Sequence, residues 1–146
     1  MLDSVNRWGA IITLIIYGSG CLVFVFRLLR RPRLARWMGF IFMLMAVPLV
    51  GLLATAPGLG RSWLYYLQIG LMLAFQGVVA LLDYILKVAF RHERWKVIGF
   101  VMLFFAGTGG MLGVAALAGS GWIMTAGVLF LVMAVLAFVQ RAVTGL

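Results

Sequence analysis

The chain alternates between long apolar runs and short polar or glycine-rich segments. The apolar runs cover about residues 9–26, 38–56, 64–89, 97–118 and 122–140 of the 146. A helix needs about 20 apolar residues to cross the hydrocarbon core of a bilayer, and each run approaches or exceeds that length. No segment has the composition of a soluble domain. The pattern therefore predicts a single domain, 1–146, that is an all-α integral membrane protein built as a five-transmembrane-helix bundle.

The positions of tryptophan support the count of five spans. One tryptophan stands near the start of each apolar run: Trp8, Trp37, Trp63, Trp95 and Trp122. Indole rings prefer the headgroup level, where the ring is half buried and its N–H stays hydrated. Joining the last two runs through Gly119 and Gly121 would give an apolar helix roughly twice as long as a bilayer requires. We therefore treat them as two spans.

The distribution of basic residues predicts the orientation of the bundle. Only 10% of the residues are charged, and ten of the twelve Lys and Arg residues lie in segments 27–37 and 87–96 or at Arg141. Arg7 and Arg61 fall on the opposite side of the membrane. Short loops rich in Lys and Arg stay in the cytoplasm. The N-terminus is therefore expected outside and the C-terminus inside, in a multi-pass protein of the plasma (inner) membrane.

The net charge of +9 raises the question of nucleic acid as a partner. The basic residues occupy short loops between apolar runs, where they act as topology signals and contacts for anionic lipid headgroups. We therefore expect no nucleic acid. The expected partners are membrane lipids and further subunits, in a homo-oligomer or a larger membrane complex.

Polar residues follow one face of the third run, and we call this set the polar stripe. At about 100° per residue, its members fall within an arc of roughly 100°: Tyr65, Gln68, Gln76, Asp83 and Lys87. An unpaired polar group in lipid costs several kcal/mol, so the stripe should face other helices or a cavity. It is either a set of interhelical hydrogen bonds or a path for a solute or proton.

Asp83 and Lys87 are spaced as an ion pair along a helix. They are four residues apart, with the acid on the N-terminal side, which is the favourable order. Asp83 lies roughly 28 Å from Leu64 along a helix, close to the inner boundary of the membrane. We expect it to pair with Lys87 or with an arginine of segment 27–37. Gln76 lies nearer the middle of the bilayer.

The fourth run carries small residues at helical spacing. Ala106, Gly109, Gly113 and Ala116 follow the order i, i+3, i+7, i+10 and fall on one face. Small residues allow helix backbones to approach closely. The pattern predicts a helix-packing face, within the bundle or between subunits. In a second interpretation the glycines leave room for a flat ligand or a lipid tail.

The sequence offers no constellation for catalysis or metal binding. Cys21 and His92 are the only residues of their types, and the three acidic residues fall at different depths of the bilayer. A structural or catalytic metal site needs several such ligands together. We therefore expect that the protein is not an enzyme and has no catalytic residues. We also expect no metal and no cofactor other than a bound lipid.

Two functional hypotheses follow. The first is a non-catalytic accessory subunit, or a bundle that binds a lipid or another small hydrophobe. The alternative is an oligomeric small transporter or channel whose path is lined by the polar stripe. A stripe that faces a hydrated cavity continuous with one side of the membrane favours transport. A stripe buried against the first or the fourth span, with no void, favours the first hypothesis.

Overall fold

The computed structural model describes residues 2–60, 62–81 and 94–144, and the regular structure in this part of the chain is helical. The α-helices are α1 Leu2–Leu28, α2 Pro32–Leu44, α3 Ala46–Thr55, α4 Trp63–Val79, α5 Arg94–Ala116 and α6 Ser120–Thr144. A 3-10 turn, Pro57–Leu59, joins α3 to α4. The predicted all-α membrane bundle is confirmed.

Four stretches of the described chain are long and apolar enough to cross a membrane. They are Ser4–Leu28, Pro32–Thr55, Trp95–Ala116 and Ser120–Val143. The third predicted span corresponds to α4, which is apolar over 17 residues. The rest of that span, from residue 82 to 89, lies outside the described residues. The chain is thus a membrane-embedded bundle of four to five long apolar helices.

The second span consists of two helices. Helix α2 ends at Leu44 and α3 begins at Ala46, so the interruption at Met45 precedes Pro48 by three residues. Proline has no backbone N–H, and its ring crowds the preceding turn of helix. The break therefore falls in the turn that the proline disturbs.

Helix α1 ends in a tight turn that is usually closed by glycine. The backbone N–H of Arg31 donates to the carbonyl of Phe26 (2.8 Å), and that of Arg30 donates to the carbonyl of Arg27 (3.1 Å). Arg30 has a φ of 57°, in the left-handed region. These are the features of a Schellman motif, in which the left-handed position favours glycine.

We expect Arg30→Gly to stabilise the bundle by about 0.5–1 kcal/mol, because a side chain in the left-handed region costs about 1 kcal/mol and glycine avoids most of that cost. Thermal unfolding in detergent measures the change. Arg30→Ala is the matched control, since it removes the same charge but keeps the Cβ atom. Equal stability of the two variants would contradict the assignment of the motif.

Helix α5 packs against three neighbours. It packs along α4 on one side and against α1 and α6 on the others, while α1 also packs against α2 and α6. The fully buried side chains include Ile16, Tyr17, Ile69, Met111 and Met133, which come from α1, α4, α5 and α6. The core therefore lies around the line where α1, α4, α5 and α6 meet.

Candidate binding site at the basic end of the bundle

Three glycines of α5 let α4 approach closely. A Cβ atom added to Gly107 would lie 3.1 Å from the carbonyl oxygen of Leu71 and 3.2 Å from the Cα of Met72. A Cβ atom on Gly110 would lie 3.3 Å from the Cα of Gln68, and one on Gly113 would lie 2.8 Å from the Gln68 Cδ. Such short distances leave no room for a side chain. Gly107, Gly110 and Gly113 therefore form the glycine seam between α4 and α5.

The glycine seam differs from the predicted packing face of α5. Of the four predicted residues, Gly113 belongs to the seam, while Ala106 and Ala116 are exposed in the described structure. An added Cβ on Gly109 would have Phe130 of α6 as its nearest neighbour, at 4.0 Å. The face that contacts α4 is rotated by about 80° from the predicted one. Small residues occur on both faces, so the spacing alone does not identify the face that contacts α4. The predicted face, within the bundle or between subunits, stays a prediction.

The described members of the polar stripe lie against neighbouring helices. Gln76 is 2% exposed, and its Nε2 donates a hydrogen bond of 2.8 Å to the carbonyl oxygen of Phe42 in α2. Its Oε1 is buried and accepts no hydrogen bond from the described residues. Gln68 packs over the glycine seam, and Tyr65 is buried. The remaining members, Asp83 and Lys87, lie outside the described residues.

Polar side chains also join α1 to α5, and this contact was not anticipated from the sequence. The hydroxyl of Tyr17 donates to the carbonyl oxygen of Thr108 across the two helices. The hydroxyl of Thr13 donates to the carbonyl of Gly9 (2.8 Å) and reaches that of Met111 at 3.5 Å. Ser and Thr hydroxyls in helices commonly bond carbonyls of the preceding turn, so an isolated Thr in an apolar run gives little sign of its interhelical contact.

A cavity of about 150 Å³ lies inside the bundle. Its walls come from α1, α2, α4, α5 and α6, and seven phenylalanines line it: Phe24, Phe42, Phe75, Phe100, Phe104, Phe105 and Phe138. Phe75 and Phe104 meet edge to face, with ring centroids 5.4 Å apart and planes at 72°. Edge-to-face contact is a preferred geometry for aromatic pairs. We call this space the aromatic cavity.

The polar side chains of the cavity lining are confined to one end. They are Arg27 in the last turn of α1 and Gln140 and Arg141 near the end of α6. Gln140 is 2% exposed, Arg27 is half-buried and Arg141 is exposed. The polar end of the cavity lining therefore carries two guanidinium groups and a carboxamide. We call these three residues the basic rim.

Sequence analysis missed the aromatic cavity, although a signal was present. The sequence has eleven phenylalanines, and seven of them, from five helices, line the cavity. The high phenylalanine content was that signal.

Comparison with known proteins adds no assignment. No protein-family model, curated protein or solved structure matches the chain at a significant level. Within residues 2–60, 62–81 and 94–144, no three His, Cys, Asp or Glu side chains come together as a metal site requires. The functional argument therefore rests on the aromatic cavity, the basic rim and the packing of the polar stripe.

Proposed function

We propose that this chain is a non-catalytic membrane protein that binds a lipid or another small hydrophobe in the aromatic cavity. The observation that carries the proposal is the cavity itself, about 150 Å³ of space bordered by seven phenylalanines. Protein interiors are close-packed, and voids larger than a water molecule are few. Apolar cavities of about this size stay dry and accept molecules as large as benzene.

The cavity wall also reaches the outer surface of the bundle. Phe138 lines the cavity, yet its side chain is 60% exposed in the described structure. Its ring stacks on that of Phe105, with centroids 6.0 Å apart and planes at 27°. In a membrane this exposed face of α6 meets acyl chains. A hydrophobic ligand would therefore reach the cavity by moving laterally within the bilayer past Phe138.

The packing of the polar stripe supports binding over transport. The Nε2 of Gln76 is bonded to the carbonyl of Phe42, and the side chain of Gln68 occupies space at the glycine seam. A path for ions or polar solutes needs polar groups that face a continuous hydrated passage. Both glutamines instead contact neighbouring helices, which is the arrangement expected of interhelical hydrogen bonding and packing.

The proposed setting is the plasma membrane, with the basic rim towards the cytoplasm. Its support is the excess of basic residues in segments 27–37 and 87–96, together with Arg141. The proposal also includes an accessory role in a homo-oligomer or a larger complex. Ala106 and Ala116 are exposed on α5, so a second subunit has a small-residue face available to it.

We expect Val101→Phe to weaken binding, because Val101 lines the cavity and a larger ring there occupies the ligand's space. The probe is a neutral photoactivatable monoacylglycerol in proteoliposomes of phosphatidylcholine. In the unmodified protein the labelled positions should concentrate at residues 100–105 and 137–138, and the variant should lose most of this labelling.

Val135→Phe is the matched control for this experiment. Val135 lies on the same α6 helix as Phe138, is 60% exposed and does not line the cavity. Its substitution should leave the labelling pattern unchanged. Labelling spread evenly over the exposed faces of the helices, with no loss in Val101→Phe, would contradict the proposed function.

A further inference from the structure

The charge of the basic rim specifies the class of ligand. Arg27 and Arg141 lie at the ends of α1 and α6, two helices that pack against each other. Gln140 lines the same cavity and is almost completely buried. Among the described residues that line the cavity there is no acidic side chain. The described part of the lining therefore combines an apolar interior with cationic side chains at one end.

We propose that the aromatic cavity holds one acyl chain of an anionic phospholipid from the surrounding bilayer, with the lipid phosphate bound between Arg27 and Arg141. This inference rests on the proposed function and names the ligand of the same site. Guanidinium groups bind phosphate oxygens through paired, charge-assisted hydrogen bonds. Basic pockets between transmembrane helices are recognised sites for anionic headgroups.

The donor capacity of the rim is sufficient for a phosphate. Arg27 already has an interaction within the protein. A guanidinium has five N–H donors, so that interaction leaves donors for a phosphate oxygen. Arg141 is exposed and reaches the headgroup level from the end of α6. We therefore assign the phosphate to the end of the cavity that both arginines line.

The depth of the site agrees with the shape of a phospholipid. Phe138 lies three residues before Arg141 on α6, which is about 4.5 Å along the helix axis. The aromatic wall thus begins directly below the guanidinium groups, as acyl chains begin directly below a phosphate. A cavity of about 150 Å³ is large enough for a segment of one chain. The second chain would remain in the bilayer beside the exposed face of Phe138.

Lipid binding to the detergent-purified full chain tests this inference. Dioleoyl phosphatidylglycerol and dioleoyl phosphatidylcholine have identical chains, so any difference in affinity reports the headgroup. We expect the anionic lipid to bind roughly tenfold more tightly, because the choline ammonium of phosphatidylcholine lies near its phosphate and is repelled by the guanidinium groups, whereas phosphatidylglycerol carries the same phosphate without a cation. Native mass spectrometry or lipid-dependent thermal stabilisation measures both affinities.

Two double variants test whether Arg27 and Arg141 cause the preference for phosphatidylglycerol. Arg27→Gln with Arg141→Gln should reduce the affinity for phosphatidylglycerol to that for phosphatidylcholine. The control, Arg33→Gln with Arg36→Gln, removes two exposed arginines of α2 that do not line the cavity. This control variant should keep most of the preference for phosphatidylglycerol. Millimolar inorganic phosphate should not compete, because a free phosphate lacks the chain that enters the cavity.

Each contrary outcome has a separate meaning. Equal affinities for the two lipids, or equal losses in the two double variants, would overturn the anionic-lipid inference. If Val101→Phe still weakened the binding of both lipids in that case, the proposed hydrophobe binding would stand. If inorganic phosphate competed, the site would bind free phosphate, and the assignment of its ligand to a phospholipid would be overturned. Failure of both lipids to bind would overturn the inference alone, because labelling by the photoactivatable monoacylglycerol tests the proposed function separately.

Discussion

Gly107→Leu is expected to destabilise the bundle more than any other substitution in the glycine seam, by about 3 kcal/mol or more. The Cβ position of Gly107 faces the backbone of α4 at 3.1–3.2 Å, through atoms of Leu71 and Met72. Backbone atoms cannot rotate aside as a side chain can. A leucine there would push α4 away from α5, and the contacts along that pair of helices would be lost.

Gly99→Leu is the matched control because Gly99 lies on the same helix with open space around it. There leucine should be neutral or slightly stabilising, since glycine is a poor helix former. Gly113→Ala should have an intermediate effect, because it displaces the end of the Gln68 side chain rather than backbone. Gln68→Ala should relieve that effect in the double variant.

Thermal unfolding in mild detergent ranks these variants. The decisive comparison is between Gly107→Leu and Gly99→Leu, which add the same side chain to the same helix. If both have the stability of the unmodified chain, α4 does not pack on the glycine seam. Additive effects of Gly113→Ala and Gln68→Ala would show that these two positions do not touch.

Gln76→Glu is expected to destabilise the bundle by about 3 kcal/mol, whereas Gln76→Leu should change stability by about 1 kcal/mol or less. The Nε2 of Gln76 donates to the Phe42 carbonyl in a buried position. A carboxylate has no proton to donate, so two oxygens would face each other. Taking up a proton at neutral pH would also cost free energy. Leucine loses one hydrogen bond but removes the unpaired Oε1 as well.

Urea or thermal unfolding of the three proteins at pH 7.5 measures these differences. Glutamate and glutamine have nearly the same shape, so the packing stays constant. The comparison therefore measures the loss of the N–H donor and the effect of the added charge. The leucine variant should also keep its lipid affinity, because Gln76 is not part of the cavity lining. Equal stability of the glutamate and leucine variants would mean that Gln76 faces water rather than α2.

Local properties of the sequence predicted the membrane class and the succession of helices. A run of apolar residues long enough to span a bilayer must satisfy its backbone hydrogen bonds internally, and a helix is the simple way to do so. The break near Pro48 follows from the missing N–H of proline. The turn at Gly119, where φ is 133°, follows from the freedom of glycine. Each of these inferences depends only on residues close together in the chain.

Predicting which faces meet required more than spacing. Helix α5 carries small residues around much of its circumference, including Ala106 on one face and Gly107 on the next. Both faces permit close approach. The choice depends on what the neighbouring helix offers, and Gln68 of α4 fits over Gly110 and Gly113. A sequence pattern on one helix does not contain that information.

The sequence by itself determined a membrane-embedded helical bundle with polar positions on its third span, because hydropathy and backbone hydrogen bonding act locally. Only the tertiary structure decided that Gln76 bonds α2, that Gly107 faces α4, and that seven phenylalanines from five helices line one cavity together with Arg27 and Arg141. The physical reason is that apolar side chains are equally at home in lipid and in the protein interior. Hydrophobicity therefore places a residue in the membrane, and only complementary packing between helices determines which residues lie inside the bundle.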